Sequence, residues 1–181
     1  MLSEKFSDAL MYAFELHANQ YRKTSQVPYY AHLMAVASLT LEYGGNEDEA
    51  IAALLHDAIE DQGGDATRQE IRRRFGDTVT AIVDGCTETD ITPWRERKES
   101  HISHIRNASA SVKLVSAADK LHNILTLTKE FQSLGENVWS FFGAPKNDIF
   151  WYYRSIASAI GDLGLLSKHL TQAINVLEKI A

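Results

Sequence analysis

Apolar residues recur at helical spacing along the whole chain, and no alternating β-branched run bounded by hairpin turns interrupts them. The pattern predicts an all-α fold of about eight to ten helices. A first amphipathic helix is expected from about Glu4 to Tyr21, with Phe6, Leu10, Phe14 and Leu16 on its apolar stripe. A second is expected from about Tyr30 to Tyr43, stopped by Gly44-Gly45. Asn46 and Glu49 have capping-box spacing and open a third helix expected to reach about Asp61. Thr67 and Glu70 repeat that spacing before a short helix closing at Phe75-Gly76, and another covers about Asp77 to Asp84. Thr92-Pro93 is expected to start the next helix, with proline at its first position, ending near Asn107. Ser111 to Leu134, Asn147 to Ile160 and Leu163 to Ile180 complete the set. No repeat, low-complexity tract or long linker divides the chain, so residues 1–181 are expected to form one domain with the helices of about 147–181 packed on its core.

Composition narrows the function classes. The chain has 181 residues, 45% of them hydrophobic and 23% charged, with three prolines, which suits a packed globular domain rather than a disordered one. Its 18 Lys and Arg against 24 Asp and Glu leave a net charge of −6, which disfavours nucleic-acid or anionic-membrane partners. An anionic ligand therefore requires a local basic cluster. The single cysteine, Cys86, is read as small apolar filler beside Gly85, and a cytoplasmic location follows from the lack of a cysteine pair, leader or membrane span.

The chemistry is concentrated in Leu54-Leu55-His56-Asp57-Ala58-Ile59-Glu60-Asp61. On one continuous helix, His56, Glu60, Asp57 and Asp61 fall at roughly 0°, 40°, 100° and 140°, opposite an Ala/Leu/Ile arc. A solvated face accounts for such an arc unless other residues join it. Three features do: His32 near the start of the preceding helix, Asp119 at the end of the apolar stretch Leu114 to Ala118, and the basic pair Arg22-Lys23. A buried carboxylate needs a partner. Two imidazoles and two carboxylates suit a divalent transition metal, with positions left for water and a phosphate oxygen.

The order His32, His56-Asp57, Asp119 resembles the H…HD…D signature of the HD superfamily of metal-dependent phosphohydrolases. Within it, His56-Asp57-x-x-Glu60-Asp61 resembles the HDxxED form of the RelA/SpoT-type alarmone hydrolases. Arg22-Lys23 with Pro28-Tyr29 and His32, Phe75-Gly76, Val83 to Thr87, and Ala118-Asp119-Lys120-Leu121-His122-Asn123 match as well. Glu96-Arg97-Lys98 and Tyr152-Tyr153 are similar to the stand-alone small alarmone hydrolases, including the metazoan Mesh type. The resemblance covers roughly Lys5 to Ile160. Leu33 stands where the family usually has proline after the histidine.

The resemblance implies a compact HD fold, His32, His56, Asp57 and Asp119 as ligands of one divalent metal (manganese in that family), and Glu60 and Asp61 as the water's base and the products' proton donor. It implies hydrolysis of the 3′-diphosphate of guanosine 3′,5′-bis(diphosphate) or its 5′-triphosphate relative, with no synthetase activity for want of room. Arg22, Lys23, Lys98, Asn123, Thr126 and Tyr152 are the implied substrate contacts. Two alternatives remain open: a nucleotide phosphatase, such as one removing the 2′-phosphate of NADPH, and a non-catalytic nucleotide-sensing module. Arg72-Arg73-Arg74 spreads over roughly 200° and reads as a solvated face. His101 and His104, lacking an acidic companion, read as surface residues. Trp139, Phe141, Phe142, Phe150 and Trp151 read as packing or as the contact of a homo-oligomer.

Overall fold

Helix starts in this chain are set by side chains that satisfy otherwise orphaned backbone N–H groups. In the computed structural model, which describes residues 2–89 and 93–181, the Asn46 side chain accepts from the Glu49 N–H at 3.1 Å, and Glu49 Oε2 accepts from the Asn46 N–H at 2.7 Å. This capping box is the one expected from the sequence. Ser3 and Ser109 cap two further helices through their hydroxyls. The described helices are α1 (Glu4–Leu16), α2 (Tyr30–Glu42), α3 (Glu47–Leu55), α4 (Ala58–Asp61), α5 (Gly64–Cys86), α6 (Trp94–Arg106), α7 (Ala110–Leu134), α8 (Lys146–Ile160) and α9 (Leu165–Ile180). A 3-10 helix, Gly135–Phe141, which the periodicity did not reveal, follows α7. Among the described residues, extended pairing is limited to one bridge between Tyr21 and Pro28.

Four boundaries differ from expectation. The first helix ends at Leu16, because the backbone turns at His17 and the segment to Tyr29 closes on itself through Arg22 N–H to Val27 O and Tyr29 N–H to Gln20 O. The helix expected to run from Asn46 to Asp61 is two, α3 and α4, broken at His56-Asp57, where Asp57 has a ψ of −2°. Thr67 is no cap: Gly63, at φ 114°, lets the chain reverse early, α5 starts at Gly64, and the Thr67 hydroxyl donates to the Gln62 carbonyl. Pro93 is the N-cap of α6 rather than its first residue, and Thr92 lies outside the described residues. The expected break at Phe75-Gly76 is present as a kink within α5, where Gly76 has φ 87°.

The centre of the fold is α3. Ala50, Ile51, Ala52, Ala53, Leu54 and Leu55 are all fully buried, and each large apolar side chain so removed from water contributes about 1.5–3 kcal/mol. Its alanines let neighbouring helices approach closely, and α1, α2, α5 and α7 all pack against it. The long α7 also packs on α2, α8 and α9, so one apolar cluster runs from Ala9 to Leu177. The mutual contact of α2, α3 and α7 brings three distant parts of the sequence to one point.

The α5–α7 contact is tight at Gly85. A Cβ there would overlap the Val112 side chain, and the Gly85 carbonyl also accepts from His104 Nε2 at 3.1 Å. Gly85→Ala is therefore expected to lower stability by about 1–3 kcal/mol, read as a lower urea midpoint at unchanged m-value. An unchanged midpoint would show that α5 and α7 separate freely at this point.

Candidate active site

The helix contact described above converges on two imidazoles and two carboxylates. His32 lies in the first turn of α2, flanked by buried Leu33 and Val36, and is itself 1% exposed. His56 closes α3 and donates from Nδ1 to the Ala53 carbonyl at 2.8 Å, which leaves Nε2 without a proton in the neutral ring. Asp57 sits in the break between α3 and α4, where Oδ2 accepts from the Tyr29 hydroxyl at 2.5 Å. Asp119, in the middle of α7, accepts from Lys120 Nζ at 2.7 Å and from Asn123 Nδ2. His32 Nε2 is 3.3 Å from Asp119 Oδ1 and 3.9 Å from Asp57 Oδ2, while His56 Nε2 is 3.7 Å and 2.9 Å from the same two atoms. Ligand atoms of His32, His56 and Asp119 all lie within 4.8 Å of one another.

Both facing Nε2 atoms are buried and make no hydrogen bond. Such orphaned nitrogens beside carboxylates fit a divalent cation, which takes imidazole and carboxylate donors together. The electrostatics agree. Burial opposes a charged His56, yet the Asp57 and Asp119 carboxylates hold its pKa well above the ordinary value. Burial likewise opposes ionisation of Asp119, but Lys120 and the two histidines keep its pKa well below the usual range. His56 and His32 act in the same direction on Asp57. The cluster thus calls for positive charge at its centre, supplied by a proton or, displacing it, by a cation.

Above this cluster opens a cavity of about 440 Å³. Its lining includes His56, Asp57, Glu60, Asp119 and Lys120, together with Arg22, Lys23, Asn123, Lys98 and Tyr152. Arg22 Nη2 donates to Asn123 Oδ1 at 3.0 Å, and Lys98 Nζ lies 4.6 Å from the Tyr152 ring centroid. The buried Tyr152 hydroxyl has no hydrogen-bond partner. Glu60 Oε2 accepts from the Glu88 N–H at 3.2 Å; partial desolvation, with the Glu88, Asp57 and Asp61 carboxylates, raises its pKa.

Three of the expected residues lie apart from the cavity lining: His32, buried within the cluster, Thr126 and Asp61. Thr126 is off it by one position, since Asn123 and Leu127 occupy the cavity-facing side of α7. Asp61 is exposed and accepts from Gln20 Nε2 at 2.7 Å; as the residue after Glu60 on α4 it points about 100° away from it. His101 overturns its surface reading: it is 5% exposed and lines the cavity, where burial and the Lys120 charge push its pKa down to about 4. His104 is exposed as expected. Arg72, Arg73 and Arg74 pair with Asp77 and Glu70 on a solvated face. Trp139 packs against Phe131, Phe142 and Phe150, although Phe141 and Phe142 also reach the cavity. Cys86 is half-buried and lines the cavity too, its thiol pushed up to about 11 by burial.

Three participants escaped sequence reasoning. Glu88, just beyond α5, holds Lys98 at 2.5 Å and Arg97 at 3.3 Å. Tyr29 ties down Asp57, and His122 meets His32. Tyr29 and His122 stood inside quoted motifs, but only the fold shows what they touch; nothing local marked Glu88.

Residues 9–150 match the family described as HD domain. A guanosine-3′,5′-bis(diphosphate) 3′-pyrophosphohydrolase of Xenopus tropicalis, MESH1, is 38% identical over 125 residues, which cover 67% of this chain and 69% of that one. The bifunctional (p)ppGpp synthase/hydrolase SpoT of Escherichia coli K12 is 32% identical over 130 residues, covering 68% of this chain but 18% of that longer one. A solved structure described as a metazoan ortholog of SpoT that hydrolyzes ppGpp aligns with a TM-score of 0.82 at 27% identity, over 97% of each chain.

Proposed function

The chain belongs to the HD-domain family, and from that premise we propose that it hydrolyses guanosine 3′,5′-bis(diphosphate), and its 5′-triphosphate counterpart, releasing the 3′-diphosphate as pyrophosphate and leaving GDP or GTP. The observation that carries this reading is a buried His32–His56–Asp119 cluster beside a cavity lined by Arg22, Lys23, Lys98, Lys120 and His101, in a chain of net charge −6. A nucleoside carrying phosphates at two positions suits several cations gathered around one hydrolytic centre. The relatives named for this reaction support the substrate class.

In this reading His32, His56, Asp57 and Asp119 hold one divalent ion, Mn²⁺. When bound, that ion neutralises phosphate charge and makes a water molecule acidic enough to be deprotonated near neutral pH. Glu60 accepts the proton of the attacking water, a task suited by its raised pKa. The proton taken up by Glu60 is passed on, with Asp61 as the donor to the products, to the leaving 3′-oxygen, so that none is gained or lost. Lys98 and Lys120 compensate the diphosphate, their ammoniums oriented by Glu88 and Asp119. Arg22 and Lys23 flank the nucleoside, with Asn123 setting the guanidinium of Arg22. Tyr152 offers its unpartnered hydroxyl to phosphate or ribose. Thr126 belongs to the nucleoside side only if α7 shifts on binding. Among the described residues no helix is long and apolar enough to cross a membrane, and the unpaired Cys86 is compatible with the reducing cytoplasm.

The test is product analysis. Purified protein with Mn²⁺ and a panel of phosphorylated nucleotides is expected to release one pyrophosphate per guanosine 3′,5′-bis(diphosphate), with GDP as the other product. Orthophosphate alone, from this or another nucleotide, would make the protein a phosphomonoesterase. Binding without turnover would make it a sensor.

A further inference from the structure

His32 and His56 spend their Nδ1 atoms differently. For His56 the partner is a backbone carbonyl, which only accepts, so the tautomer is settled: Nδ1 carries the proton and Nε2 the lone pair. For His32 the partner is a second imidazole, His122, with the two Nδ1 atoms 2.7 Å apart and the ring centroids 4.9 Å apart. Two neutral rings in this contact share one proton, so one donates and the other accepts. If His122 donated, the proton of His32 would sit on Nε2, where it finds no aligned acceptor although Asp119 Oδ1 is 3.3 Å away. If His32 donates, its Nε2 lone pair faces Asp119 and Asp57 just as that of His56 does.

We infer that His122 is a positioning residue of the metal centre: its Nδ1 accepts the Nδ1 proton of His32 and so fixes that ring in the tautomer able to ligate a cation. The inference rests on the proposed metal site and not on the proposed substrate. His122 stands three residues after Asp119 on α7, so these two positions lie on one face of the helix. One element therefore delivers a carboxylate ligand and also orients an imidazole ligand supplied by α2. A partner that orients a metal-bound histidine typically changes metal affinity 10–100-fold when it is removed.

Competition titration of Mn²⁺ alone against a chelating indicator tests this without any nucleotide. His122→Phe keeps a ring and lacks the acceptor, and is expected to weaken Mn²⁺ binding by about 10–100-fold. His122→Asn, whose amide oxygen lies close to where Nδ1 stood, is expected to recover most of the loss. A folded His122→Phe protein that binds Mn²⁺ as tightly as the parent overturns the inference, as does a folded His122→Asn protein no better than His122→Phe. Long-range nitrogen–proton spectra of the unsubstituted protein supply a check that needs no variant. They should show His32 protonated at Nδ1 and His122 at Nε2, and the reverse assignment overturns the inference. Failure to release pyrophosphate in the product assay would remove the substrate reading alone, whereas a parent protein that binds no Mn²⁺ would remove the metal reading and this inference together.

Discussion

Asp119→Asn is expected to abolish retention of divalent metal and to lower kcat/KM for pyrophosphate release by at least about 1000-fold, since a bound cation contributes several kcal/mol of charge stabilisation in the transition state. Asp119, like Asp57, faces both orphaned imidazole nitrogens, at 3.3 Å and 3.7 Å. It is also only 7% exposed, so water is a poor substitute for its charge. An amide of the same shape turns an anionic donor into a neutral one and presents a possible N–H towards His32 and His56. Its second effect is structural. Lys120 Nζ, bound to Asp119 Oδ2 at 2.7 Å, loses its ion partner at a cost of about 1–3 kcal/mol. Elemental analysis, turnover and a thermal melt of one preparation separate the two effects. Full metal content in Asp119→Asn would remove this residue from the ligand set.

Glu60→Gln is expected to do the opposite: keep the metal and lose about 100–10,000-fold in kcat, the range for losing a general base. The side chain lines the cavity without joining the imidazole cluster, so the ligands are untouched. The pH profile carries the same information. A base must be ionised to act, so activity rises with pH as Glu60 deprotonates, and its raised pKa moves that acid limb upward. Glu60→Gln should erase the limb along with most of the rate. Asp61→Asn should also retain metal and lower turnover. An Asp61→Asn rate equal to the parent's would leave Asp61 as nothing more than Gln20's partner at the cavity mouth.

The sequence-level reading succeeded where local chemistry decides and failed where neighbours do. The Asn46–Glu49 box, the break at Phe75-Gly76 and the all-helical class follow from capping, glycine and periodicity, and all are found in the structure. The grouping of His32, His56 and Asp119 was legible from the H…HD…D order that carries the resemblance, and from a carboxylate at the end of an apolar stretch, which needs a partner. A helical wheel, however, assumes one continuous helix. The interruption at His56-Asp57, where Tyr29 bonds Asp57, takes Glu60 and Asp61 off the helix that carries His56, and nothing in eight residues announces it. Similarly, the spacing of His101 and His104 describes one face of α6, while the packing of that helix on α8 decides that His101 is covered and His104 is not. The role of Glu88 depends wholly on Lys98 arriving from another helix.

On this reading α2, the turn after α3, and α7 present His32, His56, Asp57 and Asp119 to a single cation. Anomalous diffraction from crystals grown with Mn²⁺ reads this directly. The account predicts one peak per chain, within coordination distance of both Nε2 atoms and of a carboxylate oxygen from each aspartate. A fully occupied peak elsewhere, or none between the two imidazoles, would contradict it.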